Sequence, residues 1–226
     1  MNRIDNIWKN DKGFIWMLVI ALLFLVGAQL TAGLIWETKI LLRIFFFLFT
    51  IVAVKASSLP VKGKYIGYSI SVVLLLLALA TPNLENRWLI ILYNIMATGY
   101  LIYIVVLIVN QIFAGGIVTL NKIIGGVAVY ILLGHLWTSI YLTVYIIQPD
   151  SFLHSGGAIQ DDEALKQLSY FSFITLTTVG YGDTLAVSSA ARILVMMEGL
   201  LGQLFPAVFI AKLVSLQLEH SKIKKQ

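Results

Sequence analysis

The 226-residue sequence contains no cysteine and few charged residues. Without cysteine, disulfides, thiolate metal sites and thiol nucleophiles are excluded. Charged residues make up 12% of the chain, about half the share in an average soluble domain. Lysine and arginine form no cluster of the kind that binds nucleic acid, so no nucleic-acid partner is expected. Apolar residues make up 59% of the chain, and the mean hydropathy is +0.91. The composition therefore predicts a polytopic membrane protein.

Six apolar stretches are candidates for crossing the ~30 Å hydrocarbon core, which takes about 20 residues of helix. They are residues 13–36, 39–54, 65–81, 88–109, 123–147 and 188–216. The second stretch is short and contains Arg43. We predict an all-α fold with a four-helix membrane domain at residues 1–115. A second domain at residues 116–226 would contain two spans with a polar, half-length segment between them.

Basic residues are divided unequally between the two sides of these spans. If both termini are cytoplasmic, eleven lysines and arginines lie on the cytoplasmic side and three outside, the bias that membrane proteins usually show. The cytoplasmic residues are Arg3, Lys9, Lys12, Lys55, Lys62, Lys64, Lys122, Lys212, Lys222, Lys224 and Lys225; the external ones are Lys39, Arg87 and Lys166. We therefore expect a multi-pass protein of the cell membrane with both termini in the cytoplasm.

The segment between the last two spans carries the most informative motif, Thr-Val-Gly-Tyr-Gly at residues 178–182. Irregular backbone at membrane depth is tolerated only where protein buries it or water lines it. Because glycine readily adopts positive φ, the glycines let successive carbonyls turn to one side of an extended strand. A row of carbonyls with the Thr178 hydroxyl below it offers oxygen ligands to a dehydrated monovalent cation. One strand cannot surround an ion, so several copies are required.

These five residues are identical to the selectivity-filter signature of potassium channels, and residues 123–216 resemble the pore module of that family. The resemblance implies a homotetramer that conducts K⁺ passively, with no enzyme activity and no cofactor. It also implies which residues form the site. The filter residues are Thr178, Val179, Gly180, Tyr181 and Gly182, with K⁺ bound by the first four, and Thr177 and Asp183 flank them.

The apolar run before the filter is predicted to be a pore helix over residues 164–177. Asp161, Asp162 and Glu163 stand at its start, where carboxylates can cap free N–H groups and oppose the helix dipole. The same acids would concentrate cations near the pore mouth. The alternative is that they are ordinary solvated loop charges.

The last span resembles the inner helix of bacterial channels of this family, which implies a prokaryotic origin. By that alignment Gly202 is the gating hinge and Gln203 lines the cavity. Pro206 cannot donate to the carbonyl of Gly202, so a bend is expected there as either a functional hinge or a static kink. Glu198 is expected to point inward, because an acid facing lipid costs about 2.5–3.5 kcal/mol. It would then support the filter; the alternative is that it is an acid near the outer interface. Ile174 stands where some family members place a bracing glutamate.

The polar and charged residues of the other spans predict contacts between helices rather than a voltage sensor. The fourth span has no basic residue after Arg87, so a voltage sensor of the usual type is not expected. His135, Asn94 and Gln29 are expected to hydrogen bond between helices. Few residues follow the last span, and we expect any regulatory domain to belong to a separate subunit.

Three other functions were weighed against the potassium channel. An ion-conducting subunit of a K⁺ uptake system is disfavoured because the filter motif occurs once. A weakly selective cation channel is disfavoured by Tyr181 and the intact Gly182. A scaffold or membrane enzyme lacks support, because the sequence shows no nucleophile–base pair, metal cluster or phosphate loop.

Overall fold

The structure is a computed structural model that describes residues 13–30, 36–57, 59–80, 87–114 and 118–223. Apolar segments of this length form helices because a helix satisfies its own backbone hydrogen bonds in lipid. The α-helices in these ranges are α1 (Gly13–Leu30), α2 (Trp36–Ala56), α3 (Val61–Ala80), α4 (Arg87–Phe113), α5 (Leu120–Ile147), α6 (Ala164–Leu176) and α7 (Ser189–Ile223). The predicted domain boundary at residues 115 and 116 lies outside the described residues, as do both chain ends.

Four of the described helices are long and apolar enough to cross a membrane: α3, α4, α5 and the Ser189–Leu218 part of α7. In α1 and α2 the apolar stretches within the described ranges are shorter, Gly13–Gln29 and Phe46–Ala56. The protein is therefore an all-α, multi-pass membrane protein. The total of six spans and the cytoplasmic position of both termini stay predictions.

Helix α5 is the most buried of these four spans and contacts α1, α4, α6 and α7. The prediction of interhelical hydrogen bonds is confirmed for His135, whose Nε2 lies 3.0 Å from the carbonyl oxygen of Ala21 on α1. It is confirmed for Gln29, whose side-chain amide donates to the Lys166 carbonyl of α6 at 3.3 Å. It is wrong for Asn94, whose amide donates to the carbonyl of Ile90 one turn earlier in its own helix.

Glycines bring α5 close to α6 and α7. A Cβ on Gly126 of α5 would lie 2.0 Å from the Phe209 ring of α7. A Cβ on Gly134 of α5 would lie 2.5 Å from the Phe173 ring of α6. In lipid, helices associate through close packing and polar contacts rather than through the hydrophobic effect. The two glycines therefore leave room for an aromatic ring from each neighbouring helix.

A small antiparallel sheet, which the sequence did not lead us to expect, lies beside the filter segment. Its strands are β1 (Phe152–His154), β2 (Gly157–Ala158) and β3 (Thr184–Ala186), in the order β2-β1-β3. Gly156 in the turn between β1 and β2 has φ +78°, a conformation that glycine adopts without steric cost. Because β3 directly follows the filter segment, the sheet ties that segment's outer end to the loop after α5.

Candidate functional site

The filter segment, residues 178–182, begins where α6 ends. Helix α6 stops one residue earlier than predicted, and Thr177 is its C-cap, with both its N–H and its hydroxyl donating to the Phe173 carbonyl. The N–H groups of Val179 and Gly180 donate to the carbonyl of Ile174 at 2.8 and 3.1 Å. Backbone bonds therefore fix the base of the segment to the last turn of α6.

The backbone of the segment alternates in handedness. Thr178, Gly180 and Gly182 have φ of +60°, +52° and +77°. Positive φ is uncommon for a residue with a β-branched side chain, so Thr178 is held there by its surroundings. No atom lies within 4 Å of a Cβ built on either glycine. The side chains of Val179 and Tyr181 are 52% and 73% exposed in the single chain.

Asp183 follows the segment and is held by three contacts. Its Oδ2 accepts from the hydroxyl of Tyr170 on α6 at 2.8 Å, and its Oδ1 accepts from the N–H of Thr184 at 2.9 Å. Its carbonyl accepts from the N–H of Ser155 at 2.7 Å. The hydrogen bond to Asp183 raises the pKa of Tyr170 to about 12. A helix and a hairpin thus converge on the residue after the filter.

Glu198 of α7 is completely buried where α5, α6 and α7 meet. Its Oε1 accepts from the hydroxyl of Ser172 on α6 at 2.6 Å, and its Oε2 accepts from the hydroxyl of Tyr141 on α5. Ser172 Oγ also lies 2.8 Å from the carbonyl of Gly134. Glu198 therefore points away from lipid, onto the back of α6, and links all three helices.

Gly202 is where the backbone of α7 comes closest to α6. A Cβ on Gly202 would lie 2.1 Å from the carbonyl oxygen of Leu176. The carbonyl of Leu176 is at the end of α6, where the helix provides no N–H donor for it. The Tyr130 hydroxyl donates to it instead, at 2.9 Å. The same hydroxyl lies 3.5 Å from the Gly202 carbonyl, whose usual donor is missing because Pro206 has no N–H. Helix α7 continues through Pro206 to Ile223.

The acids before α6 do not cap it as predicted. Glu163 is the N-cap residue, but its side chain makes no capping hydrogen bond because its backbone is already helical, with φ −98° and ψ −9°. Asp161 Oδ1 instead accepts from the hydroxyl of Tyr145 on α5 at 2.7 Å. The capping prediction is therefore wrong for Glu163, and Asp161 links α6 to the end of α5.

The structure brings most of the predicted site residues into one region. Residues 177–183, Glu198 and Gly202 all lie at or beside α6, whereas Gln203 is exposed on the single chain. The sequence analysis missed Tyr130, Tyr141 and Tyr170 as partners of these residues. Tyr130 and Tyr141 are eleven residues apart, close to three helical turns, so they share one face of α5. Hydroxyl groups repeated on one face of an apolar span were the signal that could have identified two of them.

Comparison with known proteins supports a channel. Residues 140–218, which run from late α5 through the filter segment into α7, match a family model described as "Ion channel". No curated protein matches the chain. Within the described residues, no group of three or more histidine and acidic side chains could hold a metal ion. The matched segment and the apolar helices together support a multi-pass membrane protein that carries an ion-channel segment.

Proposed function

We propose that the protein is a potassium-selective channel in which four copies of residues 178–182 surround the permeation path. The observation that carries this proposal is the alternating positive φ at Thr178, Gly180 and Gly182 in a segment held between α6 and β3. Alternation of positive and negative φ along the backbone lets successive carbonyl groups point to the same side of the strand. Four strands of this kind would replace the water around K⁺ with carbonyl oxygens of Thr178 through Tyr181 and with the Thr178 hydroxyl.

The exposure of the single chain supports the homotetramer. Unpaired backbone polar groups cannot face lipid, so an exposed filter segment needs a protein or water neighbour. Helix α7 is the least buried of the four candidate spans, although its backbone at Gly202 packs closely against α6. Its free face would contact neighbouring subunits and line the pore, with Gln203 at the cavity.

Helices α6 and α7 have complementary roles in this proposal. The C-terminal end of α6 places its negative dipole end below the filter, where a cation would wait. Gly202 and Pro206 form the hinge of α7, and Glu198 supports the filter from behind through Ser172. Because α4 has no basic residue after Arg87, gating in this proposal does not use a voltage sensor of the usual type. Conduction needs no covalent step and no cofactor.

Rubidium flux into liposomes containing the purified protein tests this proposal, with sodium as competitor and barium as blocker. We expect rubidium uptake that barium blocks and that sodium does not reduce. Equal passage of sodium would favour the weakly selective channel. No uptake under any condition, from protein shown to be folded and reconstituted, would contradict conduction by this chain alone and favour an uptake-system subunit or a scaffold.

A pair of glycine variants separates filter chemistry from backbone strain. Gly180 and Gly156 both have positive φ and open space around a built Cβ, but only Gly180 lies in the filter segment. Alanine costs about 1–2 kcal/mol in this conformation at either site. We expect Gly180→Ala to abolish selective rubidium uptake and Gly156→Ala to preserve it. Equal uptake by both variants would refute the role of residues 178–182.

A further inference from the structure

A cavity of about 670 Å³ lies between α1, α2, α4 and α5 and the start of α6. Its volume is in the range of sites that bind small molecules and cofactors. The wall is mainly apolar, with Phe24, Phe46 and Leu101 among the lining residues. The cavity lies beside the pore module and shares no residue with the filter segment, so it is separate from the proposed permeation path.

Charged groups line the cavity near the ends of α4 and α5. The basic residues are Arg43, Arg87 and Lys166, and the acidic ones are Asp161 and Asp162. Both acids are exposed, and Asp161 already accepts a hydrogen bond from Tyr145. The described lining therefore carries one more positive charge than negative, and the acids lie at the solvent side.

Arg43 is the group in the cavity that most needs a partner. It lies within α2, partly buried, and no carboxylate in the described part of the chain forms an ion pair with it. A guanidinium at membrane depth is costly unless it is paired or hydrated. Arg87 is an exposed residue of the same lining and donates to the carbonyl of Ile146 at the end of α5. Two guanidinium groups in one apolar cavity are suited to a phosphate, which they bind through paired hydrogen bonds.

A second observation is deeper in the cavity. His135 is 92% buried and lines the same wall, with Nε2 beside the Ala21 carbonyl. Its Nδ1 has no hydrogen-bond partner among the residues that the structure describes. Because Nε2 must carry the proton to bond a carbonyl, Nδ1 is an acceptor. Because Nδ1 is itself buried, with the Phe24 and Phe173 rings packed edge-on against the imidazole, His135 forms part of the wall of the cavity.

We propose that this cavity binds one anionic phospholipid per chain. The phosphate lies between Arg43 and Arg87, and an acyl chain follows the apolar wall formed by Phe24, Phe46 and Leu101. A bilayer lipid is favoured over free phosphate because most of the lining is apolar and cannot be satisfied by an inorganic anion. The bound lipid would fill the space between the first four helices and the pore helices.

Native mass spectrometry of the purified protein from bilayers of mixed phosphatidylcholine and phosphatidylglycerol tests the proposal. We expect retained phosphatidylglycerol in preference to phosphatidylcholine. Arg43→Gln should reduce that retention about tenfold, since a hydrogen bond between charged groups has been removed. Lys62→Gln is the matched control, because Lys62 is exposed on α3 and does not line the cavity.

The wild-type protein alone also decides the question if Arg43→Gln fails to fold. Equal retention of the two lipids by wild type would overturn the proposal, as would full retention of phosphatidylglycerol by Arg43→Gln. A thermal-shift series with inorganic phosphate in lipid-free detergent separates the two phosphate sources. Stabilisation by inorganic phosphate equal to that by phosphatidylglycerol would overturn the lipid assignment. These measurements need no ion flux, so they stand or fall independently of potassium conduction.

Discussion

Replacing Gly202 by alanine tests whether close contact between α6 and α7 requires a glycine. A built Cβ lies 2.1 Å from the Leu176 carbonyl oxygen, 2.9 Å from its carbonyl carbon and 3.0 Å from its Cα. All three atoms belong to backbone, so no side-chain rotation can relieve the overlap. The two helices must separate by an appreciable fraction of an ångström, which also weakens the bond between Tyr130 and Leu176.

Gly199→Ala is the matched control, because it lies in the same helix and a Cβ there meets no atom within 4 Å. Alanine at that position should stabilise α7 by about 0.5–1 kcal/mol. Overpacking at Gly202 should cost about 1–3 kcal/mol. The two variants should therefore differ by about 1.5–4 kcal/mol, or about 3–16 °C in melting temperature for a chain of this size. Thermal unfolding of the detergent-solubilised protein measures the difference.

The same pair of variants distinguishes close packing from a hinge at Gly202. A hinge without a packing role predicts that Gly202→Ala and Gly199→Ala melt together, while open probability in bilayer recordings falls only in the first. Tight packing predicts a lower melting temperature in Gly202→Ala whatever happens to gating. If Gly202→Ala melts at or above the temperature of Gly199→Ala, the close approach to Leu176 is not what requires glycine.

Three further substitutions test individual hydroxyl groups around the pore helix. Tyr130→Phe should retain the ring stacked on Phe205 but lose the hydrogen bond to the Leu176 carbonyl. We expect stability to fall by about 0.5–1.5 kcal/mol and open probability to change. Unchanged bilayer recordings would contradict a link between this hydrogen bond and opening. Ser172→Ala should leave Glu198 with one hydrogen-bond donor fewer and lower the stability by about 1–3 kcal/mol in thermal unfolding. An unchanged melting temperature would refute the role of Ser172 in linking Glu198 to α6. Tyr170→Phe should remove the 2.8 Å hydrogen bond to Asp183. We expect the rate of rubidium uptake to fall earlier in the flux experiment than in wild type. An unchanged time course would contradict a role for this hydrogen bond in keeping the filter conducting.

The sequence predicted the pore helix well because its limits are local features. An apolar run flanked by acids on one side and by glycines on the other places the helix within a residue of Ala164–Leu176. The small sheet could not be predicted in this way. Its strands contain two or three residues each, and β1 pairs with β3 about thirty residues later in the chain. Strands β1 and β3 can pair only when the intervening α6 brings them side by side, and a local sequence pattern cannot predict that arrangement.

The predictions about polar residues were limited for a related reason. Burial of Glu198 follows from the cost of a charge in lipid, but its donors lie 26 and 57 residues away in the sequence. Asn94 was wrongly assigned because the carbonyl of the preceding turn in its own helix competes with any neighbour. Glu163 was wrongly assigned because a side chain caps well only when its backbone is extended.

Close contacts and hydrogen bonds between helices determine which parts of this protein are rigid. Lipid provides no hydrophobic drive between helices, so rigidity must come from close approach and from hydrogen bonds. Both occur where α5, α6 and α7 meet, at Gly134, Glu198 and Gly202, and between α3 and α4, where the Tyr100 hydroxyl donates to the Gly67 carbonyl. Helices α1, α2 and α4 also border the 670 Å³ cavity, which lies between them and α5. If residues 178–182 form a filter that holds its carbonyls fixed, the junction of α5, α6 and α7 is the part of the protein that supports it, whereas a bound lipid would act at the cavity.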